Sequence, residues 1–401
     1  MAQTTPPPST PARASTRPPP RLLDGPYDIA PLDERGLPLV IAARAQRALP
    51  PLIAWLEAHQ EELAARLRVH GALLLRGFDV QEPHDFERVA RAVDPELSRE
   101  YMGTSPRKAL TDYVFSASEL PGYYPIPQHC EMSFTARPPR RLFFCCLTAP
   151  ASGGETPLCD FRKVYAGLRP EVRDRFAERG IRIVRNYGAP DGSSARGANG
   201  AGDAGGEEGA GGAGDALARV KAFGRKFDPW QLKRWDEIFG TTDRAEVEAK
   251  CAVEGFKPTW LPDGGLRLTS EQEAARAHPE TGDMAWFNHV QVFHLSTATS
   301  EYRRLFARRP EPWLFGMLQA SRVLTAAQRR LRRSDELTLH CTYRDGREIP
   351  EADLEHVRDV IWQNLVVFPW RRGDVVAIDN AIVAHGRMPY QGPREVVVAW
   401  A

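Results

Sequence analysis

The chain reads as a mainly β protein with helical additions, an antiparallel sandwich or barrel, and three observations predict this. Its apolar segments are short runs of strand length bounded by Gly, Pro, Asn and Ser. The helical periods fall largely early in the chain or in crossovers between those runs, and the chain closes on short apolar runs of strand length. At 401 residues with 42% hydrophobic and 26% charged, the chain is long enough for a large core and ordinary in composition for a globular protein.

Residues 1–37 are expected to form a disordered tail, because Pro6–Pro8 and Pro18–Pro20 forbid a helix and Arg13, Arg17 and Arg21 stand without an acid as far as residue 23. Residues 38–401 are expected to form a single domain. Pro50 and Pro51 open an amphipathic helix carrying Leu52, Ile53, Leu56, Leu63 and Leu67. The run Gly71–Phe78 is a buried strand, and a short helix spans Asp85–Val93. Residues 101–128 lack a period and form a long loop. Arg141–Leu147 is a second buried strand, followed by a tight turn at Gly153-Gly154. Asp160 caps a helix to about Leu168, Pro170 opens another that stops before Gly180, and Ile181–Tyr187 is a strand.

The Gly, Ala and Ser tract at about 190–216 cannot bury enough apolar surface to order itself, and is expected to be a mobile insertion within the domain. Beyond it the pattern predicts a helix over 245–254, a hairpin turning at Pro262-Asp263-Gly264-Gly265, and arginine-rich helices. The chain closes with strands at Leu337–Tyr343, Gly373–Asn380 and Glu395–Ala399, and a helix opened by Pro350 lies between the first two.

A net charge of +1 and a pI near 7.7 give no broad field, so neither nucleic acid nor an acidic membrane is an implied partner and a small-molecule substrate is the default. The six cysteines lack zinc-type spacing, and Cys145-Cys146 lie in an apolar run, so reduced core thiols and a cytoplasmic location are expected. There is no apolar stretch of spanning length and no hydrophobic signal core. Self-association stays open.

The stretch that carries chemistry is Pro127-Gln128-His129-Cys130-Glu131. In extended chain, residues two apart share a face, so His129 and Glu131 can ligate one ion while Cys130 turns away. One nitrogen and one oxygen donor suit Fe(II), Mn or Zn better than Mg or Ca. With His385 the order is that of a 2-His-1-carboxylate triad, which leaves coordination positions open. A single His-x-acid pair arises by chance in a chain with ten histidines, and two others occur here. His59-Gln60-Glu61 lies in a helical period, where residues two apart diverge. His278-Pro279-Glu280 is not excluded by spacing alone.

Taken together, Gly71–Phe78, His129-x-Glu131, Gly153-Gly154-Glu155-Thr156, Trp286-Phe287-Asn288 and His385-Gly386-Arg387-x-Pro389-Tyr390-x-Gly392-x-Arg394 resemble the TauD/TfdA family, the relatives of taurine dioxygenase and clavaminate synthase. The resemblance runs from about residue 70 to the end. It implies a double-stranded β-helix, a jelly roll of the clavaminate synthase-like kind, and an Fe(II)- and 2-oxoglutarate-dependent oxygenase that consumes O2. His129, Glu131 and His385 match that family's iron ligands, Thr156 a hydroxyl that binds 2-oxoglutarate, and Arg394 the arginine on its distal carboxylate. Arg387 is the alternative clamp, because the interval from His385 to Arg394 is short for the family. Against these motifs, which place Gly-Gly-Glu-Thr after the ligand pair, His278-Pro279-Glu280 reads as a solvated loop whose histidine is expected to be dispensable.

The Gly-Gly-Glu-Thr-Pro and His-Gly-Arg-x-Pro forms look most like the syringomycin-type aspartyl hydroxylases of secondary metabolism. An amino acid or amino-acid-derived substrate is therefore expected, free or tethered to a carrier protein. The relatives that halogenate lack the carboxylate ligand that Glu131 matches, so hydroxylation is the expected outcome. The alternatives are catabolism of a sulfonate or betaine, and a metal-binding module that senses 2-oxoglutarate without turnover.

Overall fold

The computed structural model describes residues 25–99, 107–118, 120–190, 233–331, 333 and 336–401. Its largest sheet has seven strands in the spatial order Tyr27–Pro31, Leu39–Ala43, Ala72–Arg76, Val375–Asp379, Arg141–Thr148, Glu395–Trp400 and Phe115–Ser116. All neighbours are antiparallel except Leu39–Ala43 beside Ala72–Arg76, where the helices Leu49–Ala58 and Gln60–His70 make the crossover. The first and the last of the described strands therefore belong to one sheet.

Strand alternation divides this sheet between two cores. Leu73, Leu75, Phe143, Cys145, Val375, Ala377, Val397 and Ala399 face the amino-terminal helices, including Pro83–Val93. Leu74, Phe144, Cys146, Val376, Ile378, Val396, Val398 and Trp400 face the other way, into the larger core. The adjacent Cys145 and Cys146 thus serve opposite cores. All six cysteines are buried and free.

Two smaller sheets close the larger core. One runs in the order Lys257–Trp260, Leu266–Gln272, Ile181–Tyr187 and Leu339–Tyr343. The other places Val383–Arg387 between Ile126–His129 and Leu158–Asp160. The coarse prediction of a mostly β protein with added helices is observed, the long helices being Thr297–Arg308, Pro312–Leu331 and Glu351–Gln363. Among the described residues no helix is long and apolar enough to cross a membrane.

Several local readings hold. Asp160 caps the helix Phe161–Gly167 by accepting from the Arg162 amide at 2.9 Å. Pro170 opens Pro170–Arg179, which stops at Gly180. Three differ. The tail expected over 1–37 is ordered from residue 25, because Tyr27–Pro31 pairs along its whole length with Leu39–Ala43 and Tyr27 packs edge-on against Trp55 and Phe78. The single helix expected after Pro50 is two, broken at His59, whose backbone leaves helical geometry. The loop expected over 101–128 contains Phe115–Ser116 and most of Ile126–His129. Apart from Pro190, the tract expected to be a mobile insertion at 190–216 lies outside the described residues, as do residues 1–24 of the tail.

Candidate metal centre and its cavity

His129 ends the strand Ile126–His129, and His385 lies directly opposite it on Val383–Arg387. This cross-strand register brings together two histidines that are 256 residues apart in the chain, with ring centroids 4.4 Å from each other. Phe144, from the inner face of the seven-stranded sheet, packs on the His385 ring at 4.9 Å. The strand ends before Glu131, so the carboxylate is not set by simple alternation. Glu131 begins a turn in which Met132 has φ 50°.

Asn380, fully buried, holds that turn in place. Its side-chain oxygen accepts from the Glu131 amide at 2.7 Å, and its Nδ2 donates to Glu131 O at 3.0 Å and to Pro139 O at 2.8 Å. Glu131 Oε2 then sits 3.9 Å from His129 Nε2 and 3.6 Å from His385 Nε2. Those separations exceed a hydrogen bond and suit three donors arranged around a common point.

The donor set fits a divalent transition metal. His129 Nδ1 lies 2.9 Å from Pro127 O, a contact that places the proton on Nδ1 and turns the Nε2 lone pair toward the cluster. Burial, reinforced by neighbouring His385, pushes His129 down to about 4, which leaves the imidazole neutral as a ligand must be. Burial opposes ionisation of Glu131, but Arg107, with Nη2 3.3 Å from Oε2, and the nearby His385 imidazole outweigh it and hold the carboxyl below its usual range. Among the described residues this is the one group of three or more His, Cys, Asp or Glu side chains whose donor atoms converge in this way, all within 4.8 Å of one another.

The cluster opens into a cavity. Phe134, Phe144, Val292, Phe293 and Val396 supply apolar wall, while Thr156, Arg387 and Arg394 line it with polar groups. Thr156 Oγ1 accepts from Trp370 Nε1 at 3.1 Å and from Arg394 Nη2 at 3.4 Å, and Arg394 Nε donates to Gly154 O at 2.9 Å. Gly154 has φ 69°, and a Cβ there would come within 3.0 Å of Arg394 Cδ, so this close approach requires glycine. Arg387 is engaged differently. Its two terminal nitrogens donate to the carbonyls of Ser118, Leu120, Pro121 and Tyr124 at 2.7–3.4 Å, tying the loop before Ile126 to the ligand strand.

A scan against protein-family models matches residues 28–400 to the taurine catabolism dioxygenase TauD, TfdA family. The chain belongs to this family. It is a dioxygenase. Among curated proteins it is similar to the dapdiamide synthesis protein DdaC of Enterobacter agglomerans, 29% identical over 329 residues that span 82% of this chain and 81% of that protein. A clavaminate synthase-like protein of Arabidopsis thaliana is 27% identical over 357 residues, 88% of each chain. Among solved structures, PvcB, an Fe, alpha-ketoglutarate dependent oxygenase from an isonitrile synthetic pathway, matches with a TM-score of 0.49 at 14% identity, covering 95% of this chain and 93% of that one.

All six residues singled out in the sequence line this one cavity. His278 departs from expectation. It is buried in the turn between Ala275–Ala277 and Met284–Trp286, with Nε2 3.0 Å from Asp379 Oδ2 and Nδ1 accepting from the amides of Glu280 and Thr281. It belongs to the support of the strand that leads to Asn380, and it is neither solvated nor a ligand of the cluster. Three residues of the site went unread in the sequence: Arg107, Asn380 and His289. His289 lines the cavity beside His129 with its Nδ1 2.6 Å from Ser133 Oγ, and burial holds it neutral. The signal for it was its place immediately after Trp286-Phe287-Asn288.

Proposed function

We propose that the chain is an Fe(II)- and 2-oxoglutarate-dependent oxygenase of double-stranded β-helix architecture. It hydroxylates an amino acid or amino-acid-derived small molecule, free or carrier-tethered, in secondary metabolism. One observation carries this reading. The His129, Glu131 and His385 donors and the Thr156–Arg394 pair open into the same cavity.

In this reading His129, Glu131 and His385 hold the iron. Iron and 2-oxoglutarate, when bound, would serve to activate O2, the oxidant, which would give one oxygen atom to the substrate and one to succinate as carbon dioxide is released. The residues of the chain position and insulate. The Arg394 guanidinium forks onto the distal carboxylate of 2-oxoglutarate while the Thr156 hydroxyl hydrogen-bonds to it, and the Trp370 bond fixes that hydroxyl. Phe134, Val292, Phe293 and Val396 keep water away and hold the substrate carbon toward the triad. Because Glu131 fills the carboxylate position, hydroxylation is favoured over halogenation. Similarity to a dapdiamide synthesis protein supports an amino-acid substrate in secondary metabolism over sulfonate or betaine catabolism.

The test is succinate formation from 2-oxoglutarate by the iron-loaded protein against a panel of free amino acids, carrier-bound aminoacyl thioesters, sulfonates and betaines. Succinate released in step with a hydroxylated amino acid is the expected result. Binding of 2-oxoglutarate with no turnover on any member would sink the enzymatic reading in favour of a sensor.

A further inference from the structure

Three imidazoles line the cavity, and two of them belong to the metal cluster. The third is His289, whose ring lies 5.3 Å from that of His129. It is buried, set edge-on to Phe134 at 4.9 Å and packed against Phe293 at 4.8 Å, so the ring cannot turn without displacing both neighbours.

Its hydrogen bond fixes which nitrogen carries the proton. Ser133 Oγ lies 2.6 Å from His289 Nδ1, and Ser133 is itself buried with no other hydrogen-bond partner for its hydroxyl among the described residues. The hydroxyl therefore donates to Nδ1, because the reverse arrangement would leave a buried O–H unpaired. With Nδ1 an acceptor, the neutral ring carries its proton on Nε2. That nitrogen has no hydrogen-bond partner among the described residues. A rigid N–H on a cavity wall, left without an acceptor, is a place for an oxygen of the bound molecule.

Arg185 sets the polarity of the same wall. It alternates with Ile183 and Tyr187 on the strand Ile181–Tyr187 and so enters the larger core. Its guanidinium lies 4.4 Å from the centroid of Phe134, the ring that also carries His289, and 4.2 Å from that of Phe256. It is 2% exposed, its Nε and Nη2 lack hydrogen-bond partners, and no carboxylate pairs with it among the described residues. An uncompensated positive charge so close to this wall disfavours an ammonium beside His289 and favours an oxygen.

We propose that His289 is a substrate-binding residue whose Nε2–H donates to a carbonyl or carboxylate oxygen of the substrate, with Ser133 the positioning residue that keeps the proton on Nε2. The substrate then lies with its carboxyl-derived end at His289 and any ammonium directed away. This rests on the iron and 2-oxoglutarate reading above and adds the orientation of the substrate beside the metal centre.

Two measurements on the full chain test it. In the Zn(II)-loaded wild type, long-range proton–nitrogen NMR correlations of the imidazole in contact with Phe134 and Phe293 should show the proton on Nε2, and Ser133→Ala should weaken that bias. A proton on Nδ1 in wild type overturns the proposal, whether or not any variant folds. The second measurement is anaerobic, with Fe(II) and 2-oxoglutarate bound, whose charge-transfer absorption reports the assembled site without turnover. The probes are the free L-amino acids, their N-acetylcysteamine thioesters, and the amines that lack the carboxyl carbon. In wild type at least one acid or thioester should perturb the absorption where its amine does not. His289→Phe keeps an aromatic ring and loses the donor, and should weaken that response by about fivefold or more; His289→Gln restores an N–H near the Nε2 position and should recover part of it. Both variants should form the absorption at the wild-type 2-oxoglutarate concentration, which also shows that they fold. Equal response to acid and amine, response to neither, a smaller loss in His289→Phe, no recovery in His289→Gln, or a raised 2-oxoglutarate requirement in either variant overturns the proposal. Failure of wild type to develop the absorption at all would instead refute the iron and 2-oxoglutarate reading.

Discussion

Asn380→Asp tests how the carboxylate ligand is held, with almost no change in side-chain volume. The wild-type amide makes three hydrogen bonds within a fully buried site, accepting from Glu131 N at 2.7 Å and donating to Glu131 O at 3.0 Å and Pro139 O at 2.8 Å. An aspartate keeps the first and turns both donors into acceptors. Two buried carbonyls then lose their partners, at about 1–3 kcal/mol each, so a combined loss of about 2–6 kcal/mol is expected. That is a large share of the roughly 5–15 kcal/mol that holds a typical domain. Urea denaturation of the apoprotein measures it. Because the turn carrying Glu131 is released, Mn(II) affinity by calorimetry should also fall, by about tenfold to a hundredfold, as for other groups that orient a ligand. A variant with wild-type metal affinity and stability within about 0.5 kcal/mol of wild type would show that the turn holds itself, and would refute this account of Glu131.

Other outcomes follow from the same geometry. Glu131→Ala removes the one anionic donor of the cluster, so iron affinity and coupled turnover should collapse; activity retained without added carboxylate or halide would contradict the triad assignment. Arg394→Ala should raise the 2-oxoglutarate requirement far more than the substrate requirement, at a cost of about 2–5 kcal/mol, whereas Arg387→Ala should show first as lost thermal stability. His278→Ala should cost about 2–4 kcal/mol in urea denaturation, since it breaks a buried contact to a carboxylate and frees two backbone amides. Burial pushes His294 down to about 3, with Arg358 adding to the effect, so its folded value lies below the unfolded 6.5. The stability this represents is complete above pH 6.5 and drains as pH falls toward 3, about 1–2 kcal/mol being lost by pH 5; His294→Asn should flatten that slope in denaturation curves between pH 7 and 5.

The sequence was most legible where one local rule decides. Asp160, Pro170 and Gly180 are read correctly because a cap, a first-turn proline and a helix stop each act within a few residues. The strands Ala72–Arg76, Arg141–Thr148 and Val375–Asp379 are legible because burial on both faces leaves continuous apolar runs. Tyr27–Pro31 was not, since its pattern is mostly exposed and its order comes from pairing with Leu39–Ala43. His278 was misjudged for a similar reason. Nothing near it in sequence announces Asp379, which lies 101 residues on.

The metal cluster is legible through motif resemblance, and strand alternation accounts for only part of its geometry. Alternation along an extended chain does not place Glu131, which lies past the strand end in a turn. What replaces alternation is a long-range clamp. Asn380 and His385 stand five residues apart, and between them the chain turns from the seven-stranded sheet into the three-stranded one. One short segment thereby delivers the second imidazole opposite His129 and fixes the backbone of Glu131. The three donors are thus coupled through a single turn, so a substitution that shifts residues 380–384 should move His385 and Glu131 together rather than either alone. Metal affinity should consequently fall more steeply with disturbance of that turn than with the loss of Arg107, which, of the three donors, is paired with the Glu131 carboxylate.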